Sequence, residues 1–162
     1  MAMKIVILED NADRRAVMER CLADRFYTFD SHFFDEPASM IDFLSANLAE
    51  TIAISLDNDL DPKPGADGRL IDVGEGRQVA DFLATREPAC PVVIHTSNGP
   101  AADAMTAALH DSGWKTRRVV PFDDTAWIVA DWFPAMRRAV VGPIRRTRVE
   151  AQKRDEEATI PS

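Results

Sequence analysis

The chain has 162 residues, of which 46% are hydrophobic and 28% charged, and this length can bury one full core. Its formal net charge of −8 argues against a broad nucleic-acid surface, which would be basic. Cys21 and Cys90 have no CxxC spacing, which excludes a cysteine zinc motif and a disulfide framework. Glu9 comes too early for a signal peptide, and no apolar run could span a bilayer, so we expect a cytoplasmic protein without membrane contact.

Apolar strands and helical stripes alternate five times along the chain. The predicted strands are 3–8, 26–34, 51–56, 90–96 and 118–122. The predicted helices are 12–24, 37–49, 76–87, 101–112 and a last one capped by 123–125, which Pro134 should kink or break. This alternation predicts a three-layer, doubly wound α/β fold with a five-stranded parallel sheet in the flavodoxin-like order 2-1-3-4-5.

Two stretches lie outside this alternation. Residues 58–75 have no periodic apolar pattern and are predicted to be a long loop, either a solvated insertion or a functional loop. Residues 143–162 are dominated by charge and are predicted to be a tail, either solvated or helical with a partner. We therefore assign one α/β domain to residues 1–142.

Acidic residues follow two strands that the predicted order places side by side. Asp57, Asp59 and Asp61 follow the third strand, and Glu9 and Asp10 follow the first. Parallel sheets bind ligands at the carboxyl ends of their strands, where crowded carboxylates repel one another unless a cation is bound. We expect Mg²⁺ or Mn²⁺ here, and the candidate ligands are Glu9, Asp10, Asp57 and Asp59. Asp57 is then either a nucleophile toward phosphorus or a metal ligand beside an attacking water.

The fourth predicted strand ends in candidate phosphate contacts, which are Thr96, Ser97 and Asn98. His95 is a candidate catalytic residue, although a histidine in an apolar strand is more often structural. Strand alternation directs His95 and Thr96 to opposite faces of the sheet, unless the end of the strand breaks the pattern.

Other chemically active side chains are interpreted as structural. Arg14 and Arg15 lie in the first turns of the first helix, and we expect both to be solvent-exposed, with a phosphate contact as the alternative. The remaining residues are expected in the core, in an interface or in structural roles: Trp114, Trp127, Trp132, His32 and His110.

These residues resemble those of response-regulator receiver domains over about residues 3–141. Glu9 and Asp10 match the acid pair of that family, Asp57 its phospho-acceptor and Thr96 its conserved hydroxyl. The resemblance implies a five-stranded doubly wound fold, Mg²⁺ and phosphoryl chemistry at Asp57.

One position departs from that resemblance. Receivers have a lysine before the proline that follows their fifth strand, and this lysine pairs with the phosphorylated aspartate. Here Val120 precedes Pro121, so the cation of the phospho-switch is missing at that place. The resemblance still implies a cis peptide bond between Val120 and Pro121.

Two motifs resemble a divergent branch, the cyclic-phosphate-processing receiver-like domains. They are Ser55-Leu-Asp-Asn-Asp-Leu and His95-Thr-Ser-Asn. The resemblance implies binding or processing of cyclic phosphate ends of RNA or nucleotides, with Asp59, His95 and Asn98 as functional residues.

Four functions are compatible with these patterns. The first is a metal-dependent domain that binds or processes a phosphate ligand. The second is a stand-alone receiver that is phosphorylated on Asp57 by a histidine kinase and regulates an output protein. The others are a degenerate binding module of receiver fold and a Toprim-like metal site, which the Asp10 and Thr96 matches disfavour.

Overall fold

The computed structural model describes residues 2–158, without the side chains of residues 155–157. Its strands are β1 (Lys4–Leu8), β2 (Asp30–Phe34), β3 (Thr51–Leu56), β4 (Lys63–Pro64), β5 (Leu70–Ile71), β6 (Val92–His95) and β7 (Thr116–Val119). Its α-helices are α1 (Ala12–Arg25), α2 (Pro37–Asn47), α3 (Gly76–Ala84), α4 (Gly99–Asp111) and α5 (Phe133–Ala158). A 3₁₀ turn, Leu48–Glu50, follows α2, and a π-helical segment, Ile128–Trp132, precedes α5.

The main sheet is parallel and has the order β2-β1-β3-β6-β7. Because β6 and β7 are its fourth and fifth strands in chain order, the predicted flavodoxin-like order 2-1-3-4-5 is confirmed. The carboxyl ends of β1, β3 and β6 therefore lie next to one another at one edge of the sheet, where parallel α/β folds bind ligands.

The side chains of the central strands alternate between two cores. In β1, Ile5 and Ile7 face the layer formed by α1, the π-helical segment and α5, whereas Val6 and Leu8 face the layer of α2, α3 and α4. All four are fully buried, and each such side chain contributes about 1.5–3 kcal/mol on burial. The same alternation continues in β3 and β6, where the residues on the α1/α5 side include Ala53 and Val93.

The second strand is shorter than predicted. The sequence predicts an extended aromatic run from Phe26, but β2 begins only at Asp30. The backbone N–H of Phe26 instead donates to the Leu22 carbonyl at 2.7 Å and ends α1. The Phe26 ring packs against Phe29 and Phe133, so these aromatic residues serve the core and not the sheet.

The loop predicted for residues 58–75 contains a small hairpin. Lys63–Pro64 pairs antiparallel with Leu70–Ile71, and Gly68 has a φ of 78° in the turn between them. Leu70 and Ile71 are exposed, so the hairpin has no apolar core of its own. Hydrophobic patterning does not predict this hairpin, because strands of two residues are too short for a period to show.

The break expected at Pro134 takes the form of a π-helical segment. The backbone N–H of Phe133 donates to the carbonyl of Ile128, five residues earlier, immediately before the proline that lacks an N–H. The described residues contain no cis peptide bond, so the cis bond implied for Val120–Pro121 is not present.

Helix α5 runs without interruption through Gly142 and Pro143 to Ala158. It therefore covers most of the predicted tail, and Ile144 and Val149 on it are exposed. Residues 159–162 of that tail lie outside the described residues, and the domain boundary at 142 stays a prediction. None of the described helices combines the length and hydrophobicity that a membrane crossing requires.

Candidate metal and phosphate site

Three titratable side chains converge at the carboxyl edge of the sheet. Glu9 follows β1, Asp57 follows β3 and His95 ends β6. Glu9 and His95 are fully buried and Asp57 is 5% exposed. One ligand atom from each of the three lies within 4.8 Å of those of the other two, and Glu9 Oε2 is 3.3 Å from His95 Nε2. We call these residues the buried triad; the sequence predicts all three as site residues.

His95 is held from behind by two residues that no sequence pattern singles out. Its Nδ1 lies 2.7 Å from Ser55 Oγ, and the indole N–H of Trp132 donates to the same oxygen at 2.9 Å. The imidazole also stacks on Trp127, with ring centroids 5.8 Å apart. These contacts fix the ring so that Nε2 points into the site, which is the usual outer-shell arrangement for a metal-binding histidine.

Arg14 is the principal correction to the sequence-based site. The sequence predicts it to be solvent-exposed, but its guanidinium lies 3.7 Å from Asp57 Oδ2 and 3.8 Å from Glu9 Oε2. The same group lies over Trp127, 5.4 Å from the ring centroid. Arg14 reaches the site because α1 begins directly after β1, with Asn11 as its N-cap accepting from the Arg14 N–H at 3.0 Å.

Asp10 and Asp59 lie outside the buried triad. Asp10 is half-buried and accepts a hydrogen bond from the Asp61 N–H at 2.6 Å, which ties the end of β1 to the loop after β3. Asp59 is exposed and accepts from the side-chain amide of Asn98 at 3.1 Å. Their predicted roles as metal ligands stay predictions; in this arrangement both residues order the rim.

The candidate phosphate contacts form the start of α4. Thr96 is buried, and its Oγ1 accepts from the Asn98 N–H at 3.1 Å. Asn98 caps the helix by accepting from the Ala101 N–H at 3.1 Å, while Ser97 is exposed. The turn expected at 97–100 is thus already the beginning of α4, whose N-terminus faces the site and favours a negatively charged ligand.

Burial and neighbouring charges move the pKa values of the three acids in different directions. Burial raises the pKa of Asp57 to about 7, and the nearby Glu9 adds to this, against the opposing effects of His95, the Asn58 N–H and Arg14. Burial likewise raises the pKa of Asp10. Burial also disfavours ionised Glu9, but His95, the Asn11 N–H and Arg14 together outweigh it, so the pKa of Glu9 lies below its ordinary value.

The buried triad has the donors that a divalent cation needs. Glu9 Oε2 and His95 Nε2 are both buried and lie 3.3 Å apart, in contact with each other but without a well-aligned hydrogen bond to any described residue. Buried polar atoms without partners are costly and call for a further partner such as an ion or a water molecule. Two carboxylates and one imidazole form a mixed oxygen and nitrogen donor set, which fits a divalent metal ion, with Mn²⁺ better suited than Mg²⁺ to the nitrogen ligand.

The fold and the acidic site together define a receiver-like α/β domain. Residues 4–111 match the model of the cyclic-phosphate processing receiver domain, and the chain belongs to this family. A search of the curated proteins gave no match.

Solved structures with the same fold are receiver domains of low sequence identity. A CheY-like response regulator receiver domain protein from Methanospirillum hungatei has 9% identity and a TM-score of 0.62, over 90% of this chain and 99% of that one. The phosphorylated cyanobacterial phytochrome response regulator RcpA has 15% identity and a TM-score of 0.61, over 87% and 95%. The response regulator domain of Thermotoga maritima CheB has 13% identity and a TM-score of 0.58, over 86% and 97%.

Proposed function

We propose that this protein binds a divalent metal ion through Glu9, Asp57 and His95 and acts on cyclic phosphates of nucleotides or RNA ends. The observation that carries the proposal is the buried triad, in which Glu9 Oε2 and His95 Nε2 lie 3.3 Å apart without a well-aligned hydrogen bond. Membership of the cyclic-phosphate processing receiver family supports the choice of ligand.

When bound, the ion would supply Lewis-acid stabilisation of phosphoryl oxygens and a more acidic water. The chain's own residues supply the remainder. Opening a 2′,3′-cyclic phosphate forms one P–O bond to water and breaks one ester P–O bond to the ribose, so a base takes a proton and the ribose oxygen gains one. The pKa of about 7 describes Asp57 in the metal-free site, and a bound cation would favour the ionised, ligating form of this carboxyl group.

Positive groups surround the place where the phosphate would lie. Arg14 provides a guanidinium within 3.8 Å of both carboxylates of the buried triad, and a guanidinium binds phosphate oxygens through two parallel N–H groups. The N-terminus of α4 provides backbone N–H groups at the same edge. We assign Thr96, Ser97 and Asn98, which form this turn, to the phosphate oxygens; the exposed Ser97 hydroxyl is free to reorient.

A turnover assay tests this function. Purified protein is incubated with 2′,3′-cyclic nucleotides and Mg²⁺ or Mn²⁺, and the opened monoester is measured. We expect metal-dependent turnover that is lost in Asp57→Asn and His95→Gln and kept in His110→Gln, which changes an exposed histidine on α4. Absence of turnover, together with absence of metal-dependent binding that requires Asp57 and His95, would refute the proposal.

A second candidate is a stand-alone receiver phosphorylated on Asp57 by a histidine kinase. The observation that favours it is Arg14, which places a cation 3.7 Å from Asp57 although Val120 stands in the position of the receiver lysine. Acetyl phosphate or beryllofluoride should then change the conformation of the wild type but not of Asp57→Asn. Unchanged spectra in the wild type would exclude this candidate.

A further inference from the structure

The basic residues of this acidic protein are unevenly distributed along the chain. Residues 1–114 contain nine basic and twenty acidic residues, whereas residues 115–148 contain eight basic and three acidic residues. The second segment comprises the edge strand β7 and the first half of α5. A local cationic surface therefore exists on a protein whose net charge is −8.

Three of these eight basic residues line one groove between β7 and α5. We call it the basic groove, and its lining includes Arg117, Arg118, Val120, Phe122 and Arg138. A second cavity lies next to the basic groove, toward the amino end of β7, and is also lined by Arg117 and Arg138. Asp131 is the acidic residue on the lining of the basic groove.

The groove contains more basic than acidic residues, since three arginines line it together with Asp131. Arg118 pairs with Asp103 at 3.0 Å, whereas no ion pair of Arg117 or Arg138 is found among the side chains that the structure describes. Phe122 lies on the same lining and is 50% exposed, so part of its ring is accessible. Arginines interleaved with an exposed aromatic ring are the features with which proteins bind single-stranded nucleic acid.

The basic groove begins beside the buried triad. Val119 of β7 is the register partner of His95 in β6, and Val120, the next residue, lines the groove. The carboxyl end of β6, where His95 lies, is therefore adjacent in the sheet to the end of β7 that leads into the groove.

We propose that the basic groove binds the single-stranded RNA that leads to the 3′ end whose cyclic phosphate occupies the buried triad. This proposal rests on the proposed function and names RNA as the substrate class, because only a ribose with a 2′-hydroxyl forms a 2′,3′-cyclic phosphate. Arg117 and Arg138 neutralise backbone phosphates, and Phe122 stacks on a base. A short groove of this kind is compatible with the net charge of −8, which argues against a broad basic surface.

Two other roles of the basic groove, protection of the sheet edge and binding of an acidic peptide, explain fewer of its features. Charged side chains on an edge strand prevent strand addition, but that role needs charges on β7 only, and Arg138 lies across the groove on α5. An acidic peptide would neutralise the arginines but would leave Phe122 without a stacking partner.

A binding assay tests the groove independently of turnover. Fluorescence anisotropy is measured with a labelled single-stranded oligoribonucleotide ending in a 3′-hydroxyl, which cannot react at the site. We expect Arg117→Glu/Arg138→Glu to bind about tenfold more weakly, with a salt slope smaller by about 1.4 for two lost phosphate contacts. Phe122→Ala should also weaken binding about tenfold. The matched control is Arg69→Glu/Arg86→Glu, which changes two exposed arginines outside the groove.

The binding assay and the turnover assay distinguish an error in the groove proposal from an error in the proposed function. If a cyclic mononucleotide is turned over but oligonucleotide binding is the same in the double variant and the wild type, the groove proposal is wrong and the proposed function stands. If the double variant loses oligonucleotide binding but no cyclic phosphate is turned over, the groove stands and the proposed function is wrong. A polyglutamate peptide that binds as tightly as the oligonucleotide would overturn the RNA assignment in favour of an acidic protein partner.

Discussion

Replacing Asp57 with asparagine should stabilise the metal-free protein at alkaline pH. The pKa of Asp57 is raised from 3.8 to about 7 in the folded state, first because of burial and also because of Glu9. The folded state then holds the proton more tightly than the unfolded state, so the stabilising contribution is complete below about pH 4 and is lost as the pH rises through about 7. Asparagine keeps the shape of the side chain without the charge.

The size of the effect follows from the two pKa values. The difference between 3.8 and about 7 corresponds to about 4 kcal/mol in the free energy of unfolding at pH 8, as an upper figure. The pKa of about 7 already includes the attraction of His95 and Arg14, so about 4 kcal/mol is the ceiling. The amide of asparagine hydrogen-bonds less well than the carboxyl in the same place, so we expect a net gain of about 2–3 kcal/mol. Glu9 does not interfere in this window, because its lowered pKa affects stability only at pH values below its ordinary 4.5.

Urea unfolding followed by tryptophan fluorescence measures this gain, since Trp114, Trp127 and Trp132 are all buried. Without metal, the gain of Asp57→Asn over the wild type should be largest at pH 8 and shrink toward pH 5. Saturating Mn²⁺ at pH 8 should stabilise the wild type and not the variant. Asp67→Asn, an exposed loop substitution, is the control and should show no pH-dependent difference. A variant that is less stable at pH 8, or a gain that does not change with pH, would refute the reasoning.

Three further predictions concern the neighbours of Asp57. Ser55→Ala should lower the free energy of unfolding by about 1–3 kcal/mol in urea titrations and weaken Mn²⁺ binding roughly tenfold by calorimetry, because His95 Nδ1 and the Trp132 indole lose their shared partner. The wild type should bind Mn²⁺ at least ~10-fold more tightly than Mg²⁺, and His95→Gln should narrow this ratio, since the imidazole nitrogen suits Mn²⁺ better. Arg14→Gln should raise KM for a cyclic nucleotide about tenfold with circular dichroism unchanged, whereas Arg15→Gln, whose guanidinium lies over Phe33, should leave KM unchanged.

Strand periodicity and sheet order are enough to predict the buried triad. With β1, β3 and β6 adjacent, the odd-numbered residues of all three strands face α1 and α5. Glu9, Asp57 and His95 continue these odd positions and therefore meet on one side of the sheet edge. Asp10 and Thr96 occupy even positions, which is why Asp10 bonds to the loop at Asp61 and does not join the triad. The alternation that directs His95 and Thr96 to opposite faces of the sheet therefore holds to the end of β6.

The position of Arg14 follows from the same kind of argument. Only Met18 and Leu22 of α1 are buried, and Arg14 precedes them by four and eight residues on the same helical stripe. The sequence predicts a buried face with Val17, Cys21 and Leu22. Arg14 lies on this face as well, but an arginine is predicted to be exposed because its charge favours solvent. Side chains of a helix point toward its N-terminus, so an arginine in the first turn reaches back to the strand end that precedes it.

The support behind His95 could not be predicted from local patterns. Ser55 and Trp132 are 77 residues apart, and their contact depends on where α5 crosses the sheet. The π-helical segment before Pro134 contributes to this crossing, because each of its hydrogen-bonded turns contains one residue more than an α-helical turn. As a result, Trp127 and Trp132, which are five residues apart, lie in the same core. In an α-helix, residues at that spacing would diverge by roughly 140°, and one indole would leave the site. The irregular segment is therefore a requirement of the site, since it lets one tryptophan stack on His95 while the other holds Ser55.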